Sequence, residues 1–145
     1  MSNNEKKIFF KNNKIFLRPA TTDDHFFIYN LIENFLKMDL SVTFLKMPSF
    51  DEFFKNNIER FMITDDSILY GFVQILENNE IGYFLDDAYR GKGLGTEAVQ
   101  LLMKLNPRER YFATINDKNE ASKKLITNLG FKPKATIYEK IIDPD

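Results

Sequence analysis

The sequence predicts one α/β domain with a mixed, mostly antiparallel sheet flanked by helices. Strand-type and helix-type patterns follow one another along the chain instead of segregating into blocks. Three β-type runs, Phe61 to Ile63, Ile68 to Leu76 and Ile81 to Leu85, are joined by Thr64-Asp65-Asp66 and Glu77-Asn78-Asn79-Glu80, which are short enough for antiparallel neighbours. A length of 145 residues fits a single domain, 1–145, that buries a core without covalent staples, and no linker, internal repeat or low-complexity segment interrupts it.

Each element has its own signal. Ile15-Phe16-Leu17-Arg18-Pro19 is a short β-type run closed by proline, and Thr21-Thr22-Asp23-Asp24 supplies side-chain oxygens that cap a helix. That helix runs from about Asp23 to Phe35, with Phe27, Leu31 and Phe35 spaced four apart on one face. Leu40 to Pro48 reads as a loop. A second helix is expected from Ser49, because Ser49 and Glu52 stand at capping-box spacing ahead of Phe53, Phe54, Ile58 and Phe61. Beyond the central β runs, Thr96 to Leu105 reads as a helix with Ala98, Leu101, Leu102 and Leu105 as its apolar stripe, and Pro107 lies past its end. Arg110 to Ile115 reads as a strand. Asn119 to Leu129 is the last helix, capped by Asn119 and stopped by Gly130 at the position that wants a left-handed residue. A final strand is expected over Ala135 to Ile142.

Composition narrows the function. The 43% hydrophobic and 28% charged content is that of an ordinary soluble protein, and no apolar run approaches the roughly 18 residues of a membrane span. With no cysteine and one histidine, disulfides, thiolate zinc sites and an acyl-cysteine mechanism are excluded, and no metal site is expected. A net charge of -1 argues against bulk nucleic-acid binding, and Lys6, Lys7, Lys11 and Lys14 alternate with apolar residues as on a solvated strand face. MSNNEKKIFF lacks the apolar segment of a secretory signal, so a cytoplasmic protein is expected.

One stretch, YRGKGLGTEA over Tyr89–Ala98, sets glycines at 91, 93 and 95 between cations and then enters a helix. A tight turn alone asks for fewer glycines. A helix N-terminus carries free N–H groups and the positive end of the helix dipole, and Gly91, Gly93 and Gly95 would let an anion approach without meeting a Cβ, with Arg90 and Lys92 adding charge. The loop therefore suits a phosphate or pyrophosphate. The P-loop pattern is absent, and the G-x-G-x-G spacing is not the dinucleotide fingerprint, which also follows the first strand of its domain.

Arg90-Gly91-Lys92-Gly93-Leu94-Gly95 matches the [RQ]-x-x-G-x-[GA] coenzyme A signature, and Asn119-Glu120-Ala121-Ser122 with Leu129-Gly130-Phe131 resembles the motif that follows it in the GNAT superfamily of N-acetyltransferases. IGYFLDDAYRGKGLGTEAVQLL and NEASKKLITNLGF look most like the branch that acetylates ribosomal-protein N-termini, and the likeness reaches back to Leu17-Arg18-Pro19-Ala20-Thr21. The resemblance implies acetyl-CoA as co-substrate and a primary amine as acceptor, either a peptide N-terminus or a small molecule. It implies that the strand ending at Leu85 splays from its neighbour and that Leu85 pairs with pantetheine. The amides of Gly91, Lys92, Gly93, Leu94, Gly95 and Thr96 then take the pyrophosphate beside Arg90, and Asn119 bonds the pantetheine side.

The chemistry needs an acceptor for the amine's proton and a donor for the departing thiolate. Many family members carry a tyrosine seven residues after the asparagine, where this chain has Ile126. The resemblance to the ribosomal N-terminal branch, in having serine three residues after the asparagine, makes Ser122 the candidate donor, with a solvated helix serine as the plain alternative. It also makes Glu80, ten residues before Arg90 and near where some family members carry a catalytic glutamate, the candidate base, with a turn carboxylate as the alternative. Asp86 and Asp87 read as turn-shaping residues, and His25 as a surface or capping residue. The fifteen phenylalanines read as core, with Phe44 and Phe50 as candidates to line an acceptor pocket. Family members end in two strands, whereas only fourteen residues follow Phe131, so the domain is short by a strand or a homodimer partner completes the sheet edge. The rival reading, suggested by Ile126, is a coenzyme A binding module with weak or no transferase activity.

Overall fold

Side chains of β-type runs alternate between two faces, and here both faces are apolar, so the sheet needs helices on each side. The computed structural model describes residues 15–38 and 47–142. Strands β1 (Phe16–Pro19), β2 (Glu59–Thr64), β3 (Leu69–Ile75) and β4 (Ile81–Leu85) form one sheet in the order β1-β2-β3-β4, antiparallel throughout. Leu17, Phe61, Ile63, Val73, Ile75 and Ile81 bury one face against α3 (Leu94–Leu105) and α4 (Glu120–Asn128). Met62 and Phe72 bury the other against Ile28 and Ile32 of α1 (His25–Met38) and Phe53 of the one-turn α2 (Phe50–Phe53). Each such side chain contributes about 1.5–3 kcal/mol by leaving water.

Local chemistry sets the boundaries. A 3-10 turn, Thr22–Asp24, leads into α1, whose end lies at Met38, beyond the expected Phe35. Thr21 N–H donates to Asp24 Oδ2 at 2.8 Å, and Arg18 Nη1 and Nη2 donate to the same carboxylate at 2.7 and 2.9 Å. This fork ties β1 to the start of α1. Burial alone would raise the Asp24 pKa, but the bonds from Arg18 and Thr21 outweigh it and hold the carboxyl below its ordinary value. Gly130, at φ 94°, ends α4 as expected, with its N–H donating to Thr127 O at 3.0 Å.

Three expectations are corrected. The helix from Ser49 lasts a single turn: Ser49 Oγ accepts from Glu52 N–H at 3.3 Å, but Phe54 already closes the turn and Phe61 lies in β2. Phe61 pairs with Pro19 and Val73, and two ladders outweigh the helical spacing. Arg110 to Ile115 is no strand; it touches the sheet through one parallel bridge, Glu80 to Phe112, the sheet's parallel contribution. Ala135 to Ile142 is irregular, with Ile137 60% and Tyr138 92% exposed, so no strand follows α4 among the described residues. The basic stretch Lys6–Lys14, most of the Leu40–Pro48 loop and Phe44 lie outside the described residues.

Candidate active site

The glycine turn follows β4 directly. Asp86 caps a 3-10 turn, Asp87–Tyr89, by accepting from Ala88 N–H at 3.2 Å, and Asp87 pairs with Arg90 Nε at 3.2 Å, so both carboxylates shape the turn as expected. Gly91 and Gly93 then take φ of 76° and 80°, a left-handed geometry that only glycine adopts without strain. A Cβ at either would meet nothing within 4 Å, so the space in front of this backbone is open. Gly93 is the N-cap of α3, and no side chain caps the helix there. The first N–H groups of α3, from Leu94 to Thr96, are thus left to an outside acceptor.

Gly95 serves a different end. A Cβ there would stand 2.9 Å from Leu125 Cδ1 and 3.5 Å from Leu85 Cδ1, so it is a glycine for packing α3 against α4 and β4, not for opening the loop. Arg90 also departs from expectation: its guanidinium lies over the Phe35 ring at 5.6 Å and turns toward α1. Lys92 is exposed, Leu94 is buried and Thr96 is half-buried.

Beside this turn the sheet opens. Ile81 N–H donates to Phe112 O at 2.9 Å and Phe112 N–H to Asn79 O at 3.2 Å, and no further backbone bond joins β4 to the chain beyond Phe112 among the described residues. Leu85 pairs inward with Gly71, which leaves its outer edge free. The result is a gap bounded by Gly82–Leu85 and the 113–116 segment, and that segment leads to Asn119 at the head of α4.

Asn119 Oδ1 accepts from Ser122 N–H at 3.1 Å, so its carbonyl caps α4 and is not the group left for a ligand. Ser122 is half-buried, and Ile126, one turn on, is core. Sequence reasoning passed over Tyr83. From β4 its ring packs on the α3 and α4 side, and its hydroxyl donates to Ser122 O at 3.4 Å. Burial raises the phenol's pKa above its ordinary value, which keeps the proton on the oxygen at neutral pH. Strand alternation already placed Tyr83 opposite Glu80; what was missing was that α4 lies within its reach.

Glu80 is half-buried at the joined end of the gap. It belongs with Gly82 and Phe84 on the α1 face, since Phe84 stacks on Phe72 at 4.9 Å. Glu80 and Ser122 therefore flank the sheet edge from opposite faces. A cleft lined by Leu31, Asn34, Phe35, Leu85 and Asp86 opens on the α1 face at the far end of β4. His25 stacks on Phe54 at 3.8 Å, and Phe50 packs against His25 and Tyr29, so neither lines that cleft. Among the described residues no group of histidine and carboxylate side chains could hold a metal, and no helix is long and apolar enough to cross a membrane.

Comparison with known proteins agrees with this geometry. A family model described as an acetyltransferase (GNAT) domain matches residues 14–132. No curated protein sequence matches the chain. Among solved structures, yncA from Salmonella typhimurium, determined with its cofactor acetyl-CoA, is similar at a TM-score of 0.70 and 18% identity, over 85% of this chain and 82% of that one. An N-acetyltransferase from Staphylococcus aureus Mu50 is similar at 0.69 and 23% identity, over 81% and 83%. The ribosomal L7/L12 alpha-N-protein acetyltransferase RimL, in complex with coenzyme A, follows at 0.65 and 19% identity, over 83% and 81%.

Proposed function

The chain belongs to the acetyltransferase (GNAT) domain family, and from that premise we propose that it moves the acetyl group of acetyl-CoA directly onto a primary amine, both substrates being bound together. The observation that carries the reading is the left-handed Gly91 and Gly93 turn at the uncapped start of α3, set beside the unpaired edge of β4. In this reading the amides from Gly91 to Thr96 hold the pyrophosphate, with Arg90 and Lys92 contributing charge nearby. The pantetheine arm enters the gap, pairs with the backbone at Leu85 and receives a bond from the Asn119 amide. Among acceptors we place a peptide N-terminus ahead of other small amines, on the NEASKKLITNLGF pattern.

The chemistry then divides between two faces. The amine nitrogen attacks the thioester carbon while Glu80, directly or through one water, takes its proton. The carbon–sulfur bond breaks, and Ser122 donates a hydrogen bond to the departing thiolate. No acyl-enzyme forms. The test is release of free CoA from acetyl-CoA with a panel of amines, alongside calorimetry of CoA on Gly93→Val. We expect amine-dependent release, and loss of CoA binding in a folded variant, because a β-branched residue resists φ of 80° and projects into the pyrophosphate's path. CoA binding without amine-dependent release would favour the binding module instead, and unchanged affinity in Gly93→Val would remove the phosphate role of the turn.

A further inference from the structure

Arg60 is a half-buried cation without a counter-ion among the described residues. Its Nε donates to Gln74 Oε1 at 3.0 Å, and its guanidinium carbon lies 4.9 Å from the centre of the Phe53 ring and 5.5 Å from that of Phe54. Arg18 and Arg90 each pair with an aspartate, whereas no carboxylate lies within ion-pair distance of Arg60 among the described residues. Burial lowers its pKa to about 10, so it still carries its charge at neutral pH. Partial withdrawal from water costs the guanidinium some of its hydration, while its Nη atoms are not sealed from solvent and stay open to an anion. Two aromatic rings offset part of that cost but supply no acceptor in the guanidinium plane.

Its position gives the missing anion a meaning. Arg60 pairs with Gln74, and Gln74 with Gly82, so the three form one row across the sheet. The row is on the α1 face, since Arg60 and Gln74 stand two positions from Met62 and Phe72 and so point the same way. Two strand spacings put the Arg60 Cα about 10 Å from that of Gly82. Gly82 is the second residue of β4, one past the last bond to Phe112, and marks the mouth of the gap. Gln74 accepts from Arg60 through Oε1 and lays Nε2 over Gly82, 3.4 Å from where a Cβ would stand. The bond from Arg60 thereby turns a second donor toward the mouth.

We propose that Arg60 and Gln74 form an anion subsite for the acceptor, so that the preferred substrate is a primary amine bearing a carboxylate a residue or two away. With the amine at the gap, the distance to Arg60 is that of one to two extended residues at roughly 3.5 Å each, plus the reach of an acidic side chain. The subsite rests on the acetyl-transfer reading, and Phe53 and Phe54 form its apolar wall.

The test compares acetylation of peptides beginning Ala-Glu and Ala-Gln, both amidated at the C-terminus, with 6-aminohexanoate and with phenylethylamine. Wild type should favour the Glu peptide over the Gln peptide by roughly tenfold to a hundredfold in kcat/KM. 6-Aminohexanoate acetylated as well as the peptide would identify a small amino acid as the source of the carboxylate. Arg60→Met, which keeps the apolar stem, should erase the preference while leaving phenylethylamine turnover and the KM for acetyl-CoA unchanged. Equal wild-type rates on Glu and Gln peptides, or a uniform loss on every amine in a variant with wild-type melting, would overturn the subsite. Should Arg60→Met not fold, the wild-type Glu against Gln comparison decides alone. Should no amine be acetylated at all, calorimetry of N-acetyl-Ala-Glu amide with the CoA-loaded protein separates the two ideas: binding supports the subsite without the reaction, and no binding overturns it.

Discussion

At the scale of single residues, Glu80 and Ser122 are the informative pair, because they approach one gap from opposite faces of the sheet. In the proposed reaction the amine loses its proton on the α1 face and the thiolate is met on the α4 face. Glu80→Gln should lower the rate at neutral pH by about a hundredfold or more and recover partly at high pH, where more of the amine is already neutral. Ser122→Ala should lower kcat on the order of tenfold to a hundredfold with little change in the KM for acetyl-CoA, since a bond to developing thiolate acts in the transition state. A pH–rate profile unaltered in Glu80→Gln would leave water as the proton route. Wild-type turnover in Ser122→Ala would return that serine to an ordinary helix position and direct attention to the Tyr83 phenol. The motif spacing made Ser122 and Glu80 candidates. Tyr83 was not one, because its proximity to α4 is a contact across 39 positions of the chain that no local pattern encodes.

At the scale of elements, the β3–β4 pair holds the open edge in place. Gly71 lies opposite Leu85, and a Cβ at Gly71 would stand 2.1 Å from the Phe84 carbonyl oxygen and 2.9 Å from the Leu85 Cα. Those atoms are backbone and cannot step aside as a side-chain tip can. Gly71→Ala should therefore part the strands, costing about 1–3 kcal/mol in a urea melt and weakening CoA binding through the displaced Leu85 edge. Gly82→Ala is the control, since its new Cβ would meet side-chain atoms and no backbone, Gln74 at 3.3 Å and the Phe84 ring at 3.6 Å. Equal stability and affinity for both variants would contradict this account of the edge. β1, the three central strands, α1, α3 and α4 are legible in the sequence, because each has periodicity or a cap of its own. A longer α2 is expected because Phe53, Phe54, Ile58 and Phe61 fit a helical period as well as a strand's alternation. Arg110–Ile115 and Ala135–Ile142 have β-type composition but no ladder to join among the described residues.

For the whole molecule, the Phe112 bridge ties the sheet edge to the segment that leads to α4, and the long Tyr83 bond ties it to α4 itself. A ligand that spans the gap should stabilise the fold by mass action. At a hundredfold excess over Kd, CoA should add about 2.7 kcal/mol and raise the melting temperature on the order of 10 °C. Gly93→Val should abolish that rise, and a rise equal in both proteins would mean that CoA binds elsewhere. The sequence by itself determined the resemblance to the family, the glycine turn at the head of α3 and the order of the main elements. These rest on local rules: left-handed glycines, helix caps and side-chain periodicity act within a few residues. Only the tertiary structure decided that Gly95 packs where Gly91 and Gly93 turn, that Arg90 leans toward Phe35, and that Arg60 is without a carboxylate in the same row as the gap. Each of these depends on which distant segment the sheet register brings alongside, and register is settled by burying both faces of the sheet at once.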